Sequence, residues 1–411
     1  MIVNQLIAYP DTPSNYDCLR FERYVVPLRQ LLENPGTATP LTIGLFGPWG
    51  CGKSTVLRLV ADEVSKSDGC MIVEFNPWIY RKEPNLVTPL LHTIHDELAR
   101  RRGASFKKSA KKLWHVVTRL GAGAALKLVS AGTVDLDKLN KLEEEYLKQT
   151  AAARSELRQL RTTLQDIANT LREHDTRLVL FIDDLDRCEP IEIVDVLEGI
   201  KLFLDVDNVI CVVAVDRSIL DVGIEARYRK AGFPDSAVAG LGARYLDKII
   251  QLPMYILPLS DGDIDSLIGT LKLTGRPADA LAAVRKALLP NPRHVKRIAN
   301  MLLATLLTMP AASGLQDRLI AKLAVLRVQF PDIFEAAVAR PEFFLALAEV
   351  YLGKINVDRP EEFNRYLLLK EHVRAMCKQY YRADPFLEIL FKTDPVEISS
   401  EDLKRHLFLI A

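Results

Sequence analysis

Gly47-Pro48-Trp49-Gly50-Cys51-Gly52-Lys53-Ser54 spells G-x-x-x-x-G-K-S. An apolar run of strand type, Leu41-Thr42-Ile43-Gly44-Leu45-Phe46, precedes it, and helical spacing of apolar residues follows in Thr55-Val56-Leu57-Arg58-Leu59-Val60-Ala61. Strand, glycine loop and helix in that order describe a phosphate-binding loop rather than a chance glycine turn. Gly47, Gly50 and Gly52 let the backbone turn tightly enough to aim successive N–H groups at a polyphosphate, and the helix N-terminus adds its dipole. Lys53 is expected to reach the β- and γ-phosphates and Ser54 to hold Mg²⁺. Pro48, Trp49, Cys51 and Thr55 complete the expected cradle. The loop predicts a nucleoside triphosphate site.

Four further strands are predicted at Met71–Phe75, Leu178–Ile182, Val209–Val215 and Lys248–Leu252. They are short, rich in β-branched residues and separated by helical patterns, as strands buried on both faces of a parallel sheet are. A helix is expected over Leu19–Glu33, stopped by Asn34-Pro35-Gly36. The fold class is α/β, with a doubly wound parallel sheet.

The segment between the second and third strands is far longer than an ordinary crossover. Residues 100–112 carry Arg100, Arg101, Arg102, Lys107, Lys108, Lys111 and Lys112 with no acid among them. Leu139, Leu142, Tyr146, Leu157, Leu160, Leu164, Ile167 and Leu171 then repeat with heptad-like spacing. This seam reads as an antiparallel hairpin, as a partner-binding coiled coil, or as an amphipathic helix packed on its own domain. A solvated face or an acidic partner suits the basic stretch better than nucleic acid. From Ser260 onward the pattern is helical, with prolines at the joints. The expected organisation is 1–99 for the first part of the nucleotide core, 100–175 for a helical insertion, 176–258 for the rest of the core and 259–411 for a helical lid and C-terminal domain.

Leu178-Val179-Leu180-Phe181-Ile182-Asp183-Asp184 is an apolar strand ending in paired acids. Ligands of open α/β sheets sit at the carboxyl edge, where this tip can reach the loop. Asp183 is expected to hold Mg²⁺ through water, and Asp184 to polarise the attacking water. Asp186 and Arg187 read either as local capping and ion-pair residues or as part of a subunit interface. Asp216, after the fourth strand, reads as a γ-phosphate sensor in preference to a simple helix cap. His92 and His95 lack a third ligand at metal-binding spacing and read as a solvated helix face.

These motifs together resemble the KAP family of P-loop NTPases. The tryptophan-bearing loop, Phe75-Asn76-Pro77-Trp78-Ile79-Tyr80, Asp183-Asp184-Leu185-Asp186-Arg187, Ala214-Val215-Asp216-Arg217, Tyr245 to Pro253 and Asn291 to Asn300 follow in the family's order. The resemblance runs from about Asp17 to Pro331. It implies an additional-strand ATPase core, with the sensor strand between the loop strand and the acidic strand, using ATP and Mg²⁺. It also implies a regulated switch or assembly platform of the phage-exclusion or anti-phage type, homo-oligomeric or joined to partners from the same operon through residues 100–175. Carried over, Arg293 resembles a sensor arginine on the helical lid, and Arg244 a residue that contacts a neighbour's nucleotide. Cys51 stands where the family loop often has serine, which points to an oxidation-sensitive site.

Lys and Arg number 54 against 53 Asp and Glu over 411 residues, so bulk charge favours no polyanionic partner. The 6 cysteines form no C-x-x-C pair, as suits a reducing cytoplasm. No basic-then-apolar leader is present, and the Gly/Ala-rich stretch from Val116 to Val134 is broken by Arg119 and Lys127. A membrane span is therefore not expected. Three functions fit: Mg²⁺-dependent ATP hydrolysis stimulated by assembly, a nucleotide-gated scaffold with negligible turnover, and a nucleic-acid-associated ATPase.

Overall fold

The computed structural model describes residues 8–14, 17–83, 86–122, 143–200, 206–230, 232–234, 238, 240–309, 314–382, 384–393, 395 and 398–410. The chain forms two compact units, Pro13–Leu257 and Pro258–Ala411, the latter joined by the segment ending at Thr12.

In the Pro13–Leu257 unit the order is α1 (Glu22–Glu33), β1 (Leu41–Phe46), α2 (Lys53–Val64), β2 (Cys70–Phe75), α3 (Val87–Arg100), α4 (Ala104–Ala122), α5 (Glu143–Arg172), β3 (Arg177–Ile182), α6 (Pro190–Ile200), β4 (Val209–Val215), α7 (Arg217–Lys230), α8 (Leu241–Leu246) and β5 (Leu252–Tyr255). The sheet order is β2-β3-β4-β1-β5, and every pairing is parallel. β4 thus lies between the loop strand and the acidic strand, the additional-strand arrangement that the resemblance implies. All residues of β3 and β4 are buried, which explains their unbroken apolar composition. Phe46 pairs with Val215, Ile182 with Val213 and Phe75 with Ile182. That register brings the ends of β1, β2, β3 and β4 to one carboxyl edge, where the loop, Asn76, Asp183 and Asp216 emerge.

One strand differs from expectation. The fifth runs over Leu252–Tyr255, and Lys248 to Ile250 belong to the turn after α8, their N–H groups bonded to Tyr245 and Leu246 carbonyls. Ile249 and Ile250 are buried there, so their β-branched apolar character reports burial and not strand geometry.

The long crossover folds as α3, α4 and α5. α4 and α5 run antiparallel: Phe106 meets the His174 ring, Ser109 reaches Thr170, and Lys112 pairs with Asp166. Leu160, Leu164, Ile167 and Leu171 share one core with Leu113, Val117 and the strand residues Val73, Leu180 and Val213. This stretch of the seam is core of its own unit, and the partner-binding coiled-coil reading does not apply to it. Leu139 and Leu142 lie outside the described residues, as do the side chains of Tyr146 and Leu157.

In the other unit the described elements are all helical. Pro292, Pro331, Pro341 and Pro385 each stand at the first helical position, where the missing N–H costs nothing. Pro360–Leu369 is a 3-10 segment that runs into an α-helix, Lys370–Tyr380. Among the described residues, no helix is long and apolar enough to cross a membrane.

Candidate nucleotide site

Gly52 caps α2 with φ 109°, and the ring of Phe21 lies where a side chain at that position would stand. Only glycine satisfies both conditions. Gly47 serves differently: a Cβ there would lie 2.6 Å from the Cys51 sulfur. The loop is thus braced from the N-terminal side by Phe21, whose own N–H, with that of Glu22, is held by the Asp17 carboxylate. Neither Asp17 nor Phe21 carries a local signal that announces this role. Burial pushes the Cys51 thiol up, against the weaker pull of Lys53, which argues against the expected sensitivity to oxidation. Pro48 supplies a carbonyl to the loop, Trp49 is 52% exposed, and Thr55 accepts the Ser14 N–H.

Lys53 opens α2 and is buried. Its ammonium donates to the Gly47 carbonyl at 2.9 Å and pairs with Asp186 Oδ2 at 2.8 Å, with 7% and 5% of the two side chains exposed. Asp186 Oδ1 accepts the Asp216 N–H at 3.0 Å. One carboxylate therefore ties the loop lysine to the tip of β4. Asp186 is thus an ion-pair residue, but its partner is the loop lysine, far away in sequence, and not a local one.

Asp183 follows β3, and the Ser54 hydroxyl donates to it. Burial pushes the Asp183 carboxyl above the usual carboxylate range, while Ser54 and the Asp184 N–H, at 2.8 Å, pull it down. A half-buried hydroxyl and carboxylate side by side are the hard oxygen donors that Mg²⁺ prefers. Asp184 takes a left-handed conformation, φ 57°. Its Oδ2 accepts from Asn76 Nδ2 at 2.7 Å, and its Oδ1 pairs with Arg187 Nε at 2.9 Å. Ser54, Asp183, Asp184, Asn76, Arg58 and Glu74 line part of a cavity of about 600 Å³.

The side chains of the remaining expected residues make other contacts. Asp216 Oδ1 accepts the Ser218 N–H and hydroxyl, which is a helix-capping geometry at the start of α7. Arg244 is exposed on α8. Arg293 belongs to the helical unit, where it pairs with Asp11 at 2.7 Å in the first turn of Pro292–Thr308. His92 and His95 lie against the Trp114 ring, and among the described residues no group of three or more His, Cys, Asp or Glu is placed to hold a metal ion.

A glycine loop at the end of β1, its lysine buried beside a carboxylate, and an acid pair at the end of β3 across an interposed β4 define a P-loop NTPase. The family model described as the KAP family P-loop domain matches residues 21–309, and the chain belongs to that family. The phage T7 exclusion protein of Escherichia coli (strain K12) is 26% identical over 244 residues, covering 54% of this chain and 31% of that protein. The chain thus spans under a third of that relative's length. An uncharacterised protein of Methanocaldococcus jannaschii is 28% identical over 162 residues, covering 32% of this chain and 82% of its own. Among solved structures, Cdc6p from Pyrobaculum aerophilum superposes with a TM-score of 0.44 at 15% identity, over 98% of this chain and 96% of that one.

Proposed function

We propose that this chain binds ATP with Mg²⁺ and hydrolyses it slowly when alone, as a regulated switch or assembly platform. The observation that carries this reading is the buried ion pair between Lys53, at the end of the glycine loop, and Asp186, in the turn after β3. A buried lysine with one carboxylate partner can exchange that partner for the phosphates of a nucleotide, which offer more negative charge at the same place. Ser54 and Asp183 would hold Mg²⁺, which when bound neutralises charge on the phosphate oxygens. Asp184 orients water toward the phosphoanhydride, and Lys53 stabilises the charge that develops on the oxygens. Asp216 is proposed to respond to the γ-phosphate from its place at the end of β4; by the family resemblance, Arg293 is proposed as a sensor arginine and Arg244 as a residue that contacts a neighbour's nucleotide.

The engaged state of Lys53 and Asp184 favours low basal turnover, and this supports the switch over a constitutive hydrolase. Similarity to a phage T7 exclusion protein supports a role in anti-phage defence, and we propose with it partner proteins and a place in the cytoplasm. Purified protein is expected to bind ATP and release phosphate in a Mg²⁺-dependent way. Lys53→Ala should lose nucleotide binding, and Asp184→Asn should keep binding while turnover falls by about a hundredfold or more. Tight ATP binding by Lys53→Ala would overturn the loop assignment. In a bacterial host, phage plating efficiency with the parent and with Lys53→Ala tests the defence role.

A further inference from the structure

The side chains around Asp184 close a circuit that turnover of the nucleotide does not require. Asn76 Oδ1 accepts the Trp78 N–H at 3.1 Å, and its Nδ2 donates to Asp184 Oδ2. Asp184 Oδ1 binds Arg187, and the Arg187 guanidinium lies over the Trp78 ring, 5.4 Å from its centroid. Trp78 belongs to the 3-10 turn Pro77–Tyr80 that follows β2, and Arg187 to the turn Leu185–Arg187 that follows β3. Two separate segments at the carboxyl edge thus hold one carboxylate by both oxygens. Trp78 is 37% exposed, and the neighbouring Ile79 is 65% exposed.

A carboxylate that polarises water needs an oxygen free to accept from that water and electron density to share with it. A guanidinium on one oxygen withdraws that density, and an amide on the other fixes the plane of the group. Trp78 in turn fixes the guanidinium, because a planar cation on an aromatic face has a preferred place to lie. We infer that Arg187, seated on Trp78, restrains Asp184 and keeps basal hydrolysis low, making Arg187 and Trp78 positioning residues of the nucleotide site. The inference rests on the reading of Asp184 as the water-orienting group. Asn76 is the hinge of the circuit, since it contacts both the Trp78 backbone and Asp184.

The test is steady-state ATP hydrolysis by the full chain, with circular dichroism and ATP affinity as controls for folding. Arg187→Gln and Trp78→Ala are both substitutions at partly exposed positions, and each is expected to raise kcat by about fivefold with KM for ATP within about twofold. Arg187→Lys keeps a cation beside Asp184 and is expected to stay closer to the parent than Arg187→Gln. In an Asp184→Asn background the rise should vanish, since the restraint acts through that carboxylate. A kcat for Arg187→Gln that is unchanged or lower overturns the restraint, as does a rise that persists with Asp184→Asn. Hydrolysis at the parental rate by Asp184→Asn alone overturns the role of Asp184 itself and this inference with it, and that outcome is distinct from the other two.

Discussion

At the scale of single residues, Asp186 carries the most consequence. It is buried, it neutralises Lys53, and it accepts the backbone N–H of Asp216. Removing one member of a buried ion pair leaves the other charge without compensation, which costs about 3–5 kcal/mol. Asp186→Asn keeps an acceptor for the Asp216 N–H but not the charge, so the nucleotide-free protein is expected to lose about 3 kcal/mol in denaturant unfolding. Saturating ATP supplies new negative charge to Lys53, so most of the loss should be recovered in its presence. Equal destabilisation with and without ATP would show that Lys53 does not leave Asp186 for the phosphates. His294 gives a pH-dependent counterpart in the helical unit. Burial lowers its pKa, and the neighbouring Arg297 and Arg293 lower it further. A histidine depressed in this way adds stability that is complete above its ordinary value of about 6.5 and is lost as pH falls toward the folded value. His294→Gln should therefore flatten the decline in thermal stability just below that pH and leave the alkaline side unchanged.

Among the elements, α4 and α5 show how a periodic pattern can be correct while its meaning stays open. The spacing of Leu160, Leu164, Ile167 and Leu171 is that of a helix with one apolar face, and such a helix forms. Spacing does not say whether the face meets a partner or the home domain, because both bury the same stripe. Here it meets α4 and the sheet, with Leu171 and Leu164 almost fully buried. Leu164→Ala is expected to cost about 2–5 kcal/mol, read as a lower denaturant midpoint. Removing residues 138–170 should yield an unfolded or aggregated product, in contrast to a dispensable insertion. A folded product of that deletion with parental ATP affinity would show that the hairpin is separable from the core.

For the whole molecule, ligand binding and stability are linked. A nucleotide that binds only the folded Pro13–Leu257 unit stabilises it by about 2.7 kcal/mol at a hundred times its dissociation constant. The parent is expected to show a concentration-dependent rise in melting temperature with ATP and Mg²⁺, and Lys53→Ala none. The α/β class, the loop and the acid pair were legible in sequence because each depends on short segments. A strand buried on both faces must be apolar throughout, and a phosphate loop must have glycines and a lysine at fixed spacing. Even the sequence signal for β5 was displaced only by a few residues, toward the buried Ile249 and Ile250. The partners of the site residues were not legible. Phe21 against Gly52, Asp186 against Lys53, and Asn76 with Arg187 against Asp184 join segments that only the parallel register of the sheet brings to one edge. Local composition determined which residues bear the chemistry. The tertiary structure alone decided which charges face one another, because Coulomb and hydrogen-bond energies depend on distance through space and are indifferent to separation along the chain.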